Sequence, residues 1–590
     1  MSVMAYAPLG AGGIIVRVEA DIRRGIPGID ITGLAEGAVR EARERVRAAF
    51  RNSGLQFPMD RVLINLAPAG MKKEEASLDL PIAVSVMAAA GLVQLSGDIM
   101  VMGELELSGN IRPVRGVLAA MDAGLNAGIT EFIVPAGNVR EAAILGRGGD
   151  RPAARFAAAA SLAEAVHALF LRDQEGSLPP SVESGGLAGS VETAANFATA
   201  NFATPNFATA NFATANFATA NSATANFADV RGQSLYKRVL EIAAAGGHNV
   251  LAFGPPGAGK TMLARRLPSI MPPLSPEEAV EVTRLHSLAG PYRAGGIGYS
   301  GGYAGGGVNG SYAGGGTSVG YAGGGVDEII SGLITQPPFR SPHHSASAQG
   351  ILGGGKIPRP GEITLAHFGT LFLDEAPEFN VNVLQALREP LEDRVITIVR
   401  AEGPLRLPAE FQLLLAANAC PCGRLGVYHS AFDSVETCLC SSEEIYRYWR
   451  KFGGALLDRV ELRVPVLPPK IDELGAAGND ESSAVIAKRV IAAVEIQRRR
   501  FGKTGVRRNA LIPAGMIESA CPLTQQAKNA FHAAMGKLGL SGRAYHGILR
   551  VARTIADLEG RETIDTEHVL EAVQHRRYGD DPFEILRIKG

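Results

Sequence analysis

Apolar residues along the 590-residue chain fall into two kinds of pattern. In the middle third they form short unbroken runs, Val250-Leu-Ala-Phe253, Leu371-Phe-Leu373 and Leu413-Leu-Leu-Ala-Ala417. Runs this short predict strands buried on both faces of a parallel sheet. Toward the carboxyl end the spacing becomes helical: residues 484–496 carry apolar side chains at helical intervals. A second helix is predicted from about Ser541, with Ile548, Val551 and Ile555 on one face.

Two stretches follow neither pattern. Between Asn196 and Phe227 the pentamer Asn-Phe-Ala-Thr-Ala recurs, with phenylalanines at a five-residue period that suits neither helix nor strand. It has too few large apolar groups to offset the entropy of ordering it and reads as a linker. Between Gly295 and Gly325, Tyr-Ala-Gly-Gly-Gly returns every nine residues without the Asp a calcium-binding roll needs, and reads as an expanded loop. These breaks divide the chain into an N-terminal unit (1–171), a linker (172–229), a central unit (230–470) containing the Gly-rich insertion, and a helical C-terminal unit (483–590).

Charge is balanced, 58 basic against 59 acidic residues, so affinity for nucleic acid must come from local clusters. The candidates are Arg498-Arg-Arg500 with Lys503, and Arg507-Arg508; a solvated helix end is the plain alternative. No uncharged apolar run reaches about 18 residues, and no basic segment leads the apolar N-terminus, which predicts a cytoplasmic protein without a membrane span. Five cysteines, four of them between Cys420 and Cys440, suit a reducing compartment.

The candidate chemistry gathers around the apolar runs. The first leads into Gly254-Pro-Pro-Gly-Ala-Gly-Lys-Thr261 and then a helical segment, the strand–loop–helix setting of a phosphate-binding loop. Gly254, Pro255, Pro256, Gly257, Ala258 and Gly259 would wrap ATP phosphates. Lys260 would reach the β- and γ-phosphates and Thr261 would ligate Mg²⁺. The second run ends in Asp374-Glu375, fit to hold Mg²⁺ through water and to polarise the attacking water respectively. The third ends in Asn418, which either orients that water or merely ends a strand. Arg459, in Leu456-Leu-Asp-Arg459, is a candidate arginine finger for a neighbouring subunit, or one half of an Asp458–Arg459 surface pair.

With these motifs in place, the chain resembles the YifB/ComM family, in the magnesium-chelatase-like branch of AAA+ proteins. The resemblance is carried by Gly28-Ile-Asp-Ile-Thr-Gly-Leu34, Val62-Leu-Ile-Asn-Leu-Ala-Pro68, Phe339-Arg-Ser-Pro-His-His344, Ala417-Asn-Ala-Cys-Pro-Cys-Gly423, Leu456-Leu-Asp-Arg459 and Ser541-Gly-Arg-Ala-Tyr545. It implies an α/β multidomain protein: an α+β N-terminal domain like Lon proteolytic (S5 domain 2-like) domains, an AAA+ P-loop core and a C-terminal helical lid. It also implies a hexamer, and, for members similar to ComM, branch migration of DNA. By the same resemblance Arg543 would be the lid's nucleotide-sensing arginine. A metal-insertion ATPase of the chelatase kind, or a chaperone-type remodeller of a protein client, is the alternative.

Three features stand apart. Ser77 falls where a Lon-type nucleophile would be, yet Leu118 occupies the expected place of its lysine, and no lysine lies between Lys73 and Lys237. Unless Lys72 or Lys73 substitutes, proteolysis is not expected. Cys420, Cys422, Cys438 and Cys440 form two Cys-x-Cys pairs, open to Zn²⁺ or to reduced buried thiols, while Cys521 stands alone. His343 and His344, read as strand neighbours pointing to opposite faces, suggest a structural or inter-subunit role rather than shared metal binding.

Overall fold

The computed structural model describes residues 2–9, 11–33, 36–68, 76–95, 97–145, 154–178, 226–289, 333–355, 358–399, 404–425, 428–429, 434–435, 438–469, 480–502, 504–538, 541–579 and 583. The Gly-rich insertion, nearly all of the pentamer repeat, and Lys72, Lys73 and Lys503 lie outside them.

Strands β1 (Ser2–Leu9), β2 (Gly12–Arg23), β3 (Gly28–Thr32), β4 (Arg61–Ala67), β5 (Met100–Val101), β6 (Glu131–Pro135) and β7 (Arg155–Ala159) form one mixed sheet in the order β3-β4-β2-β1-β5-β6-β7. Val62, Ile64 and Leu66 of β4 are buried and alternate with more exposed neighbours, the period-2 pattern of a sheet with one core face. Against this sheet pack α1 (Glu36–Asn52), the almost wholly buried α2 (Asp79–Ala89), α3 (Val117–Asn126) and α4 (Leu162–Glu175).

The N-terminal unit runs past its expected limit at 171. Buried Arg172 pairs with Glu131 at 2.6 Å, and the Leu178 N–H donates to the same carboxylate at 2.8 Å. At the far end of the linker, Phe227 is fully buried and its N–H reaches Ser483 Oγ at 3.0 Å. The last Asn-Phe of the repeat therefore belongs to the packed core, where its ring lies among buried apolar side chains.

The central unit is a five-stranded parallel sheet of β8 (Val250–Phe253), β9 (Phe339–Arg340), β10 (Thr370–Leu373), β11 (Gln412–Ala417) and β12 (Leu462–Pro465), ordered β9-β10-β11-β8-β12. All the residues of β8, β10, β11 and β12 are buried, as the apolar runs in the first three predict; in β12 buried Arg463 interrupts the apolar sequence. One face is covered by α5 (Ser234–Gly246) and by C-terminal helices, among them α9 (Ser483–Phe501), α10 (Gln525–Leu538), α11 (Gly542–Leu558) and α12 (Thr566–Arg577). Ser541 caps α11 by accepting the Ala544 N–H at 3.2 Å, and Ile548, Val551 and Ile555 are all buried. The other face packs on α8 (Ser442–Arg450), which carries Trp449. Helix α7 (Pro276–Ala289) reaches back to the N-terminal unit: its Leu288 is buried in that unit's core, and the Gly116 N–H donates to Ser287 O at 3.2 Å.

No helix among the described residues is long and apolar enough to cross a membrane.

Candidate nucleotide-hydrolysis site

From Phe253 the chain turns through Gly254–Gly259 into the short helix α6 (Lys260–Ala264). Gly254 has no room for a side chain, since a Cβ there would lie 2.0 Å from the Val466 carbonyl oxygen. Gly257 and Gly259 hold φ of +77° and +93°, a region that disfavours other residues. The loop is braced by Gln233, whose Nε2 donates to Ala258 O at 3.0 Å and to Leu467 O at 2.5 Å.

Lys260 is buried beneath this loop. Its Nζ donates to Gly254 O at 2.9 Å, Pro255 O at 2.8 Å and Asn418 Oδ1 at 3.2 Å, which occupies all three ammonium donors. Burial pushes its pKa down to about 8, opposed by the charges of Asp374 and Glu375. Thr261 Oγ1 donates to Asp374 Oδ2 at 2.9 Å. Asp374 and Glu375 follow β10 directly, and Glu375 sits at φ +49°, which for a residue with a Cβ costs on the order of 1–2 kcal/mol. Such strain next to reactive groups is a frequent mark of a working site.

The loop, Lys260, Thr261, Asp374, Glu375 and Asn418 thus meet at the carboxyl edge of the parallel sheet, where open α/β sheets bind ligands. The group fits ATP–Mg²⁺ chemically. A buried ammonium tied only to neutral oxygens is ready to exchange them for phosphate. The adjacent hydroxyl and carboxylate of Thr261 and Asp374 are the hard oxygen donors Mg²⁺ prefers.

His344 is a neighbour of this site that sequence reading missed. Strand β9 ends at Arg340, so the two histidines lie in a turn, not on opposite faces of a strand; their rings stack with centroids 4.0 Å apart. His344 Nδ1 lies 3.7 Å from Glu375 Oε2. Only knowing that β9 borders β10 would have revealed it.

Arg459 and Arg543 are brought together, but not at the phosphate-binding loop. Arg459 precedes β12, so it stands at the amino edge of a sheet whose carboxyl edge holds the loop. Both arginines bind Glu392, Arg459 through Nη2 and Arg543 through Nη2 at 2.9 Å. Burial would raise the Glu392 pKa, but the Arg459 hydrogen bond and the two positive charges outweigh it and hold the carboxyl below its usual range. Arg394, Arg550 and Arg576 share the same cleft of about 220 Å³. Arg543, the nucleotide-sensing arginine implied by the resemblance, is delivered by α11 to the edge opposite this chain's own phosphate-binding loop. An Asp458–Arg459 pair does not form either, because Asp458 pairs with Arg576 at 2.7 Å.

The basic clusters proposed for DNA are partly spent inside the fold. Arg500 binds buried Asp557 at 2.8 Å, and Arg507 pairs with Glu278 and covers the Phe368 ring at 3.5 Å. Burial pushes the Arg508 pKa down to about 10. Arg498 and Arg499 remain exposed. In the N-terminal unit, Ser77 Oγ is buried without a hydrogen-bond partner among the described residues, which do not include Lys72 or Lys73. The thiols of Cys420, Cys422, Cys438 and Cys440 converge within 4.8 Å of one another.

Known proteins share this organisation. A family model described as magnesium chelatase, subunit ChlI, matches residues 226–298 and 325–474; its break falls on the Gly-rich insertion. Models described as subunit ChlI of Mg-chelatase and as its C-terminal part match residues 18–138 and 480–576. The chain is 38% identical over 574 residues to an uncharacterized protein YifB of Salmonella typhimurium, covering 97% of this chain and 96% of that one. It is 36% identical over 579 residues to competence protein ComM of Haemophilus influenzae, covering 97% of each. The chain belongs to the YifB/ComM family of magnesium-chelatase-like AAA+ proteins. Membership implies ATPase activity. This family member also shows 25% identity over 138 residues to Lon protease of Mycolicibacterium smegmatis, 22% of this chain and 18% of that protein.

Proposed function

We propose that this YifB/ComM-family chain hydrolyses ATP with Mg²⁺ as a ring of subunits, a hexamer, and uses the energy to drive branch migration of DNA in recombination or natural transformation. The observation that carries the motor reading is the division of residues between two edges of one sheet. Lys260, Thr261, Asp374, Glu375 and Asn418 gather at the carboxyl edge, and Arg459 with Arg543 at the amino edge. In a subunit so built Arg459 and Arg543 lie away from its own phosphate-binding loop, on an edge that another copy could meet. In this reading Glu375 polarises the lytic water, Asn418 orients it, and Thr261 with Asp374 holds Mg²⁺. Arg459 and Arg543 stabilise charge on the neighbour's γ-phosphate once nucleotide draws them from Glu392.

The DNA client is supported by the full-length likeness to a protein named for competence, and Arg498 and Arg499 offer phosphate contacts. Binding through such contacts is sequence-tolerant and weakens with salt. The test is ATP-dependent branch migration on a three-stranded DNA substrate with Lys260→Ala as control. Product from wild type alone supports the reading; ATP hydrolysis that no DNA form stimulates, with no product, sinks the DNA part.

A second reading, ATP-driven metal insertion, is favoured by the chelatase descriptions of all three family models, that of the N-terminal unit included. Acceleration of metal insertion on adding porphyrin and a chelatase catalytic subunit distinguishes it.

A further inference from the structure

The four clustered cysteines lie directly behind the candidate catalytic residues. Cys420 Sγ is 3.4 Å from Cys422 Sγ and 3.6 Å from Cys438 Sγ, and the Cys422 and Cys438 sulfurs are 3.5 Å apart. Four thiolates around one zinc at about 2.3 Å have sulfur–sulfur edges near 3.8 Å, whereas a disulfide would need about 2.05 Å. The cluster therefore has the spacing of a tetrahedral site and not of two disulfides. Backbone N–H groups point at the sulfurs, Leu425 toward Cys420 at 3.4 Å, and Arg424 and Leu439 toward Cys422. Backbone donors arranged in this way are the outer-shell partners that steady sulfur ligands around a metal. Nothing about an ordinary surface loop calls for two Cys-x-Cys pairs, 16 residues apart in sequence between Cys422 and Cys438, to meet at one point.

The surroundings say what such a site would hold in place. Cys420 stands two residues beyond Asn418, whose side chain accepts from Lys260. Gly423, at φ +77°, lies so close to the phosphate-binding loop that a Cβ there would be 3.1 Å from the Pro256 ring. Cys440 leads into α8 through a capping box of Ser441 and Glu444. From that helix Trp449 Nε1 donates to Ala419 O at 3.0 Å, and the Tyr448 hydroxyl engages the Asn418 backbone. The indole also meets Phe253, the last residue of β8, edge-on at 5.5 Å.

We propose that Cys420, Cys422, Cys438 and Cys440 bind one structural Zn²⁺, and that this ion fixes the end of β11 so that Asn418 and the phosphate-binding loop keep their working register. All four ligands come from the protein, so the ion has no open position for chemistry of its own. Its effect on turnover rests on the ATPase reading above; its presence does not.

The test uses the full-length chain, purified without chelators from zinc-supplemented growth. Elemental analysis is expected to find about one zinc per chain, and Co²⁺ refilling to give the thiolate charge-transfer and tetrahedral bands of a four-sulfur site. Cys422→Ser with Cys438→Ser should retain roughly a tenth of the metal or less, while Cys521→Ser, outside the cluster, should keep it. If the double variant does not fold, wild type is stripped with a chelator and refilled. Fluorescence of Trp449, the chain's one tryptophan, should then shift and recover, and ATP turnover should fall and recover about tenfold. Wild type holding under about a tenth of an equivalent of zinc, with no cobalt–thiolate band, overturns the site. Zinc that can be removed with turnover unchanged overturns its link to Asn418. Bound zinc in a protein that hydrolyses no ATP under any condition would sink the ATPase reading and leave the metal site standing.

Discussion

In the proposed ring, Lys260 and Arg459 lie at opposite edges of one subunit's sheet, so a catalytic unit would take the first from one subunit and the second from the next. The four-residue strand β8 alone separates the edges by roughly 13 Å, and Glu392 holds the arginine on its own side. Lys260→Ala and Arg459→Ala should therefore each remove nearly all turnover, the latter by about 10³-fold or more. Mixed in equal amounts, the two variants should complement. An interface works when it joins an Arg459→Ala chain, which supplies an intact loop, to a Lys260→Ala chain, which supplies an intact arginine. Random assembly makes about one interface in four of that kind, so independently firing sites should recover roughly a quarter of wild-type hydrolysis. The assay is steady-state phosphate release from rings whose mixed composition is verified by pull-down through a tag on one variant. Verified mixed rings no more active than either variant alone would refute the reasoning.

Glu375→Gln should bind nucleotide with little change and lose about 10²–10⁴-fold in turnover, read by fluorescent-nucleotide titration beside phosphate release. Lys260 gives a pH signature. With its pKa depressed to about 8, the nucleotide-free protein is increasingly neutral at that position above pH 8 and must take up a proton to offer an ammonium to phosphate. ATP affinity should thus fall by up to about tenfold per pH unit above pH 8, with calorimetry in buffers of different ionisation heat showing proton uptake on binding; pH-independent affinity from 7 to about 9.5 would contradict this. Asp557 is fully buried and receives Arg500, Arg553 and Asn509. Asp557→Ala leaves those donors without their acceptor and should cost on the order of 3–5 kcal/mol in urea unfolding of the C-terminal helices.

What could be read from the sequence was local or periodic. The strand–loop–helix around Lys260 and the apolar runs ending in Asp374-Glu375 and Asn418 each sit within about ten residues, so spacing alone carries their chemistry. The helices over 483–501 and from Ser541 showed in their apolar period because each buries one face in the core they share with α5. Contacts between distant segments were hidden. Glu392 gathers Arg459 and Arg543 from 67 and 151 residues away, and no local pattern marks it as their shared partner. His344 approaches Glu375 only because β9 lies beside β10. The basic run Arg498–Arg508 read as one solvated patch, yet burial of Asp557 and the Phe368 ring draws Arg500 and Arg507 inward. The same limit displaced the linker ends, since the pockets for Arg172 and Phe227 are made by residues 41 and 256 positions away.

The docking of α7 gives the N-terminal unit a second attachment. Leu288 is seated among the apolar side chains of that unit, Ser287 Oγ binds its buried Glu141, and Arg284 meets Asp122 at 3.4 Å. This non-covalent joint ties the N-terminal unit to the central unit independently of the peptide connection through residues 179–225. A nick anywhere along it should leave two fragments that still travel as one particle, and any rocking of α7 during turnover is passed to the N-terminal sheet directly.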